Sequence, residues 1–346
     1  MTIHTTDFGV MPDQEPITRF TLTNMAGLSV AILDYGALLA SVKLPTRDGQ
    51  LVEVTLGFDT LAEYLADAWF CGATIGRYAN RMKDGRFVLD GIAYQLEQNS
   101  FPSHLHGGRH GFHKVVWQAE PQIAQDSASV RLTRLSRDGE EGYPGNLAVT
   151  VTYTLNDRNE LRLAYQAETD APTPINLTNH AYWNLEGIGH GTALDHELTL
   201  YAEQYLPTDQ DRIPTGDIAT VRETVMDFTA PKRIGAQIEQ VVGGGYNHCY
   251  VFPQPGGMLQ PAARVVAPQS GRVLEIATTA PGMQFYSGHF LSNYRAAGGK
   301  IVNKYGAFCL EAQHFPNSVN QPEFPPTILR PGNRYTQTTI FRFEGG

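Results

Sequence analysis

Cysteine is scarce. The 346-residue chain has three, Cys71, Cys249 and Cys309, scattered and odd in number, with no C-x-x-C pair. That spacing excludes a disulfide framework and a cysteine zinc site. Long apolar runs are missing as well. The most apolar early stretch, Val30 to Val42, is interrupted by Asp34 and Gly36 and is too short to span a bilayer. The opening MTIHTTDFGVMPDQEPITRF lacks a basic start followed by an apolar run, so no signal peptide is expected and a cytoplasmic protein is. The formal charge of −9 is dispersed with no basic stripe, which argues against nucleic acid as a partner, and a polyanion is not an expected ligand either. No G-x-G-x-x-G opens a helix, no G-x-x-x-x-G-K-[ST] occurs, and no G-x-S-x-G elbow is present. Dinucleotide, nucleoside triphosphate and acyl-transfer chemistry therefore have no sequence support.

Sustained helical periodicity is absent too, and period-two alternation takes its place. Leu147, Val149, Val151, Tyr153 and Leu155 alternate with small or polar residues, then Leu161, Leu163, Tyr165 and Ala167 do the same after a polar turn. This predicts an antiparallel hairpin with one buried face per strand. Asp90-Gly91 predicts a second hairpin between runs 86–89 and 92–96, and Gly27 to Pro45 predicts two strands hinged near Tyr35-Gly36. Only Thr60 to Asp67 predicts a helix. Hydrophobic residues make up 42%, enough for a large core, and 34 glycines and 21 prolines punctuate the strands. The expectation is an all-β, single-domain antiparallel sandwich over residues 1–346.

Chemistry-bearing residues cluster in several stretches. Thr173 to Gly187 places Asn176, Asn179, His180, Tyr182, Trp183 and Asn184 within nine positions, a set of neutral hydrogen-bonding groups and flat faces suited to a hydroxyl-rich ligand. His180 alone among them can move a proton near neutral pH, although a strand histidine is also a common structural residue. Gly76 to Arg81 sets Asn80 beside Arg81, which could anchor a sugar oxygen or form a surface ion pair. In Ser103 to His113, a strand would put His104 and His106 on one face, which invites a metal reading. No glutamate follows closely, and Gly107-Gly108 would instead let backbone approach a ligand. Ser136 to Gly145 reads as a solvated loop that could rim a site. Gly243 to Tyr250 delivers Asn247 and His248 into a strand, and Pro281 to Gly288 offers Gln284 next to Phe285. Glu311 follows an apolar triplet where a strand would leave the core, as a paired or solvated edge carboxylate or as a general base with a raised pKa. One carboxylate with a histidine suits sugar hemiacetal isomerisation better than glycoside hydrolysis, which needs a second acid; Glu140, Glu141 and Asp195 are weak candidates for it.

Taken together, GRYANR (76–81), HLHGG (104–108), DGEEGYPG (138–145), TPINLTNHAYWNL (173–185), YLPTDQDRIPTG (205–216), PGMQFYSG (281–288) and LEAQHFPNSVNQP (310–322) resemble the aldose 1-epimerase, or galactose mutarotase, family. The resemblance implies a "supersandwich" fold and a cofactor-free reaction on a small free sugar, without metal, nucleic acid or membrane, by a monomer or homodimer. It implies Glu311 as the base on the C1 hydroxyl, His180 as the acid on the ring oxygen and His106 as a second histidine orienting that region. Asn80 and Arg81 are then hydroxyl contacts, with Gln284 and Phe285 lining the cleft. Where the family usually has a substrate-contacting aspartate, this chain has Asn247, an amide without charge. Galactose and glucose are the expected sugars, with L-arabinose or D-xylose as pentose alternatives; a non-catalytic sugar-binding sandwich is a further alternative.

Overall fold

The computed structural model describes residues 1–254 and 256–345. Strands dominate it, and every ladder between named strands is antiparallel. The alternating segments form the hairpin Leu147–Asn156 and Glu160–Thr169, which sits inside a nine-stranded sheet. The Asp90-Gly91 hairpin joins Arg86–Leu89 to Ile92–Gln95, and Ser29–Leu33 and Leu38–Pro45 flank the Tyr35-Gly36 hinge. The helix is Leu61–Ala66, started by a Thr60/Glu63 capping box in which each side chain satisfies the other residue's backbone N–H.

Three sheets share one apolar core. A five-stranded N-terminal sheet contributes Leu22, Val30 and Ile32, the nine-stranded sheet Val151, Leu163 and Phe341, and a six-stranded sheet Met283, Phe285 and Leu310. The three cysteines are unpaired and buried. No helix among the described residues is long and apolar enough to cross a membrane.

The six-stranded sheet positions the site. In its centre, Phe308–Gln313 pairs with Gly282–Tyr286, which pairs with Asn247–Val251. Cross-strand partners share a face, and neighbours along a strand point oppositely. The partners Phe285 and Leu310 therefore face the core with Met283, Ala312 and Tyr250. The opposite face carries the partners Gln284 and Glu311, and the row Asn247, Tyr286, Cys309 and Tyr182.

Arg77 braces the loops beside this sheet. Its buried guanidinium donates to the carbonyls of Ser136, Arg137, Pro144 and Gly145 and to the hydroxyls of Ser136 and Thr173. Burial lowers its pKa to about 10, so it stays charged at neutral pH. Ser136 to Gly145 is thus tied to a buried cation. Arg77→Met strands these acceptors, each unmet buried group costing about 1–3 kcal/mol. The expected loss of unfolding free energy is ~3 kcal/mol or more, measured by urea titration. A loss under ~1 kcal/mol would mean that the loop holds its own shape.

Candidate active site

A cleft of about 310 Å³ opens above the polar face of the six-stranded sheet. Glu311, Asn247, Tyr286 and Tyr182 line it from the sheet, Arg81 from the short strand Arg81–Met82, and His180, His106, Asn80 and Phe70 from adjoining loops. Of the sequence-derived residues, Glu311, His180, His106, Asn80, Arg81 and Asn247 come together here.

Glu311 lies in mid-strand, only 2% exposed, and not at a solvated edge. All six residues of Phe308–Gln313 are buried, so the strand does not leave the core there. Its Oε2 has no hydrogen-bond partner among the described residues. Burial pushes the carboxyl up to about 8, only partly opposed by Arg81. His180 Nε2 lies 3.7 Å from that Oε2, and burial pushes its imidazole down to about 4. Desolvation thus favours the uncharged form of both groups, a carboxylic acid facing a neutral imidazole. Cys309 Sγ lies 3.6 Å from His180 Nδ1 and holds the ring's far side, while Tyr182 stacks on the ring with centroids 5.0 Å apart.

His106 is locked to Asn80 by a reciprocal pair of bonds. The His106 N–H donates to the Asn80 carbonyl at 3.1 Å, and the Asn80 N–H donates to His106 Nδ1 at 3.2 Å. Both residues are left-handed, with φ of 52° and 62°, as is Phe70, whose ring lies 4.7 Å from that of His106. Burial, with the neighbouring His180 and Arg81, drives the His106 pKa well below the usual histidine value. The ring is neutral, and because Nδ1 accepts, its proton sits on Nε2 as a donor.

That tautomer bears on the metal question. His106, His180 and Glu311 offer ligand atoms within 4.8 Å of one another, a set that does not include His104. Yet a metal-bound imidazole donates its second nitrogen's proton to an acceptor. His106 Nδ1 instead faces a backbone N–H. The donor set does not fit a cation without breaking the Asn80 bond.

Several expectations need correction. Phe285 does not line the cleft; it is fully buried and stacks on Tyr246 at 5.1 Å on the core face. Gln284 lies beneath the cleft surface and donates to Asn247 Oδ1 at 2.7 Å, which turns the Asn247 NH₂ group free of that bond. His104 does not share a face with His106; its Nδ1 meets the Glu97 carbonyl at 2.7 Å and its ring abuts Tyr143. Gly107 and Gly108 make room for the Gly76 carbonyl and the Glu141 carboxylate, not for a ligand. From Thr173 to Gly187, only His180 and Tyr182 reach the cleft. Asn176, Asn179 and Asn184 bond backbone carbonyls, and Trp183 packs on Phe341 and Phe343. Sequence reasoning did not single out Phe70, Tyr286, Phe290 or Arg212 as site residues, though all line the cleft. Arg212 stood inside a family-like motif, and Phe70 carried no local signal.

Residues 18–342 match the family model described as "Aldose 1-epimerase". Galactose mutarotase of Rattus norvegicus is 43% identical over 341 residues, covering 98% of each chain. Aldose 1-epimerase of Escherichia coli (strain K12) is 37% identical over 338 residues, covering 96% of each. Among solved structures, galactose 1-epimerase from Lactobacillus acidophilus NCFM matches with a TM-score of 0.87 at 29% identity, over 100% of this chain and 99% of that one. An aldose epimerase homologue from C. elegans matches with a TM-score of 0.86 at 32% identity, over 94% of this chain and 98% of that one.

The His106 assignment is directly measurable. In ¹⁵N–¹H NMR of the whole protein, His106 is expected to show a protonated Nε2 and an unprotonated Nδ1, unchanged on adding equimolar Zn²⁺ or EDTA. A proton on Nδ1, or a zinc-induced shift at this ring, would restore the metal reading.

Proposed function

The chain belongs to the aldose 1-epimerase family, and from that premise we propose that Glu311 and His180 are the groups that interconvert the anomers of its sugar. The activity is aldose mutarotation, an isomerase reaction, as full-length relatives bearing that name indicate. The observation that carries the residue assignment is the buried, unpartnered Glu311 Oε2 set 3.7 Å from His180 Nε2.

The proton balance is closed. Glu311 carboxylate takes the proton from the C1 hydroxyl, O1–C1 becomes a carbonyl, and the bond from C1 to the ring oxygen breaks. The ring oxygen takes its proton from the His180 imidazolium. Rotation about C1–C2 presents the other aldehyde face, and the same two transfers in reverse close the ring. The pair thus holds one proton throughout, as ionised base and acid with the ring closed, and as carboxylic acid and neutral imidazole with it open. Burial favours the second arrangement, so the cleft stabilises the protonation state that accompanies the unstable open chain.

The remaining groups orient the sugar. His106 Nε2–H donates toward the ring oxygen and C1. Asn80 and Arg81 meet hydroxyls, and Gln284 fixes the Asn247 amide from below. D-Galactose and D-glucose are the first sugars to test, with L-arabinose and D-xylose as pentose alternatives.

Glu311→Gln and His180→Asn each remove one half of the exchange and should lower kcat by roughly 10²–10⁴. The profile of kcat/KM against pH, followed by polarimetry, should be flat between the two pKa values of the free protein. It should fall below about 4, where His180 gains a second proton for the pair, and above about 8, where Glu311 loses the only one. Retention of most of kcat by Glu311→Gln would remove Glu311 from the mechanism.

Asn247→Asp introduces a negative charge among these groups. A carboxylate there favours the imidazolium of His180 and opposes ionisation of Glu311, so both limbs of the profile should move to higher pH. Superimposable profiles would place residue 247 outside electrostatic reach of the pair.

A further inference from the structure

The cleft lining carries two guanidinium groups, Arg81 and Arg212, against a single carboxyl, Glu311. Arg212 stands on its wall, exposed, with its guanidinium 4.7 Å over the Phe290 ring. The loop holding it is ordered by its own bonds. An isolated bridge joins Thr208 to Pro214, Asp209 Oδ1 accepts from the N–H groups of Asp211 and Ile213, and Arg212 N–H donates to the Asp209 carbonyl. No carboxylate among the described residues pairs with the Arg212 guanidinium within 4.0 Å, although ten arginine–carboxylate pairs occur elsewhere among them. Its one charged-group contact of this kind is with a ring, which leaves the fork of N–H donors free along its edge.

The rest of the lining points the same way. Arg81 is a second cation, and the Arg212 charge acts on it. The Asn247 oxygen is taken by Gln284, so this amide offers its NH₂ donors to the cleft. His106 offers Nε2–H. Glu311 is the one carboxyl in the lining, and burial holds it toward its neutral form. The Phe290 ring under Arg212 stacks on Tyr286 at 6.2 Å, and Tyr286 meets at 6.1 Å the Tyr182 ring that stacks on His180, so Arg212 stands at the other end of a row of three rings from His180.

We infer that the cleft favours aldoses carrying an oxyanion remote from C1, a uronic acid carboxylate or a sugar phosphate, with Arg212 and the Asn247 amide as the recognising groups. This rests on the mutarotase reading and adds a substrate class to it. The carboxylate of a uronic acid replaces a hydroxymethyl group with no added bulk, and its planar pair of oxygens matches the guanidinium fork. A phosphate offers the same charge on a longer arm. The reaction at C1 is unchanged, so the anion acts through binding.

The test is anomer exchange by NMR on D-galactose, D-galacturonate and D-galactose 6-phosphate, with the native protein and with Arg212→Ala, Arg212→Lys and Arg212→Glu. The native protein should turn over at least one anion with kcat/KM above that for galactose, and added NaCl should lower the anion's value more than galactose's. Arg212→Ala should lower the anion-to-galactose ratio about 10–100-fold, the worth of a charge-assisted contact. Arg212→Glu should lower it further, and Arg212→Lys should keep part of it. Whichever anion loses its advantage identifies the source of the oxyanion. Galactose turnover with neither anion preferred, or a ratio unmoved within about twofold by Arg212→Ala, overturns the inference while leaving mutarotation intact. Failure to exchange any aldose overturns the mutarotase reading instead. Calorimetric binding of galacturonate to the native and Arg212→Ala proteins then decides the recognition step by itself.

Discussion

A carboxyl group held almost dry in an interior strand, with one oxygen lacking a partner, is the constraint on which the cleft depends. Such a group is costly as an anion unless a ligand or cation meets it. The fold supplies Arg81 at a distance and a histidine at 3.7 Å, and leaves the other contact open toward the cleft. Beside it, Phe70 and Tyr182 both stack on the His180 ring, and the Asn80 N–H fixes the donor side of His106. Loosening Phe308–Gln313 would let water reach Glu311, and its proton affinity would return toward that of an ordinary carboxylate.

The two shifted groups act as a unit because their shifts oppose each other. Burial raises one affinity and lowers the other, so a single proton has a defined resting place between them. A sugar that exchanges a hydroxyl proton for a ring-oxygen proton needs a partner with that property. Neither a metal nor a second carboxylate is required by the proton count. The His106 tautomer, set by a backbone N–H, is consistent with a site whose histidines donate hydrogen bonds.

Much of the fold was legible in the sequence because the long hairpins bury one face, and period two is then visible in every other residue. Runs 147–156 and 160–169 show this plainly. Glu311 was harder. A strand buried on both faces reads as a plain apolar run, so its carboxylate could not be told from one at a solvated edge. Phe285 was misplaced for a related reason, since a motif match names a neighbourhood and not a face, and its partner Leu310 decides the face. The asparagines of Thr173 to Gly187 looked like ligand contacts because composition cannot distinguish an amide aimed at a sugar from one closing a backbone turn. Phe70 was invisible, since its place depends on a left-handed backbone that no neighbouring residue announces.

The alternation of Asn247–Val251, Gly282–Tyr286 and Phe308–Gln313 also bears on how the protein can change. One side of each strand carries the apolar contacts that hold the three sheets together, and the other faces the cleft, lined there by Asn247, Tyr286 and Glu311. A substitution at 247 leaves both apolar clusters in place, Tyr250, Met283, Phe285 and Leu310 on one face and Tyr182 and Tyr286 on the other. Successive variants could therefore drift in sugar preference without first spending the stability that keeps them folded. The geometry makes this cleft a tractable starting point for directed evolution.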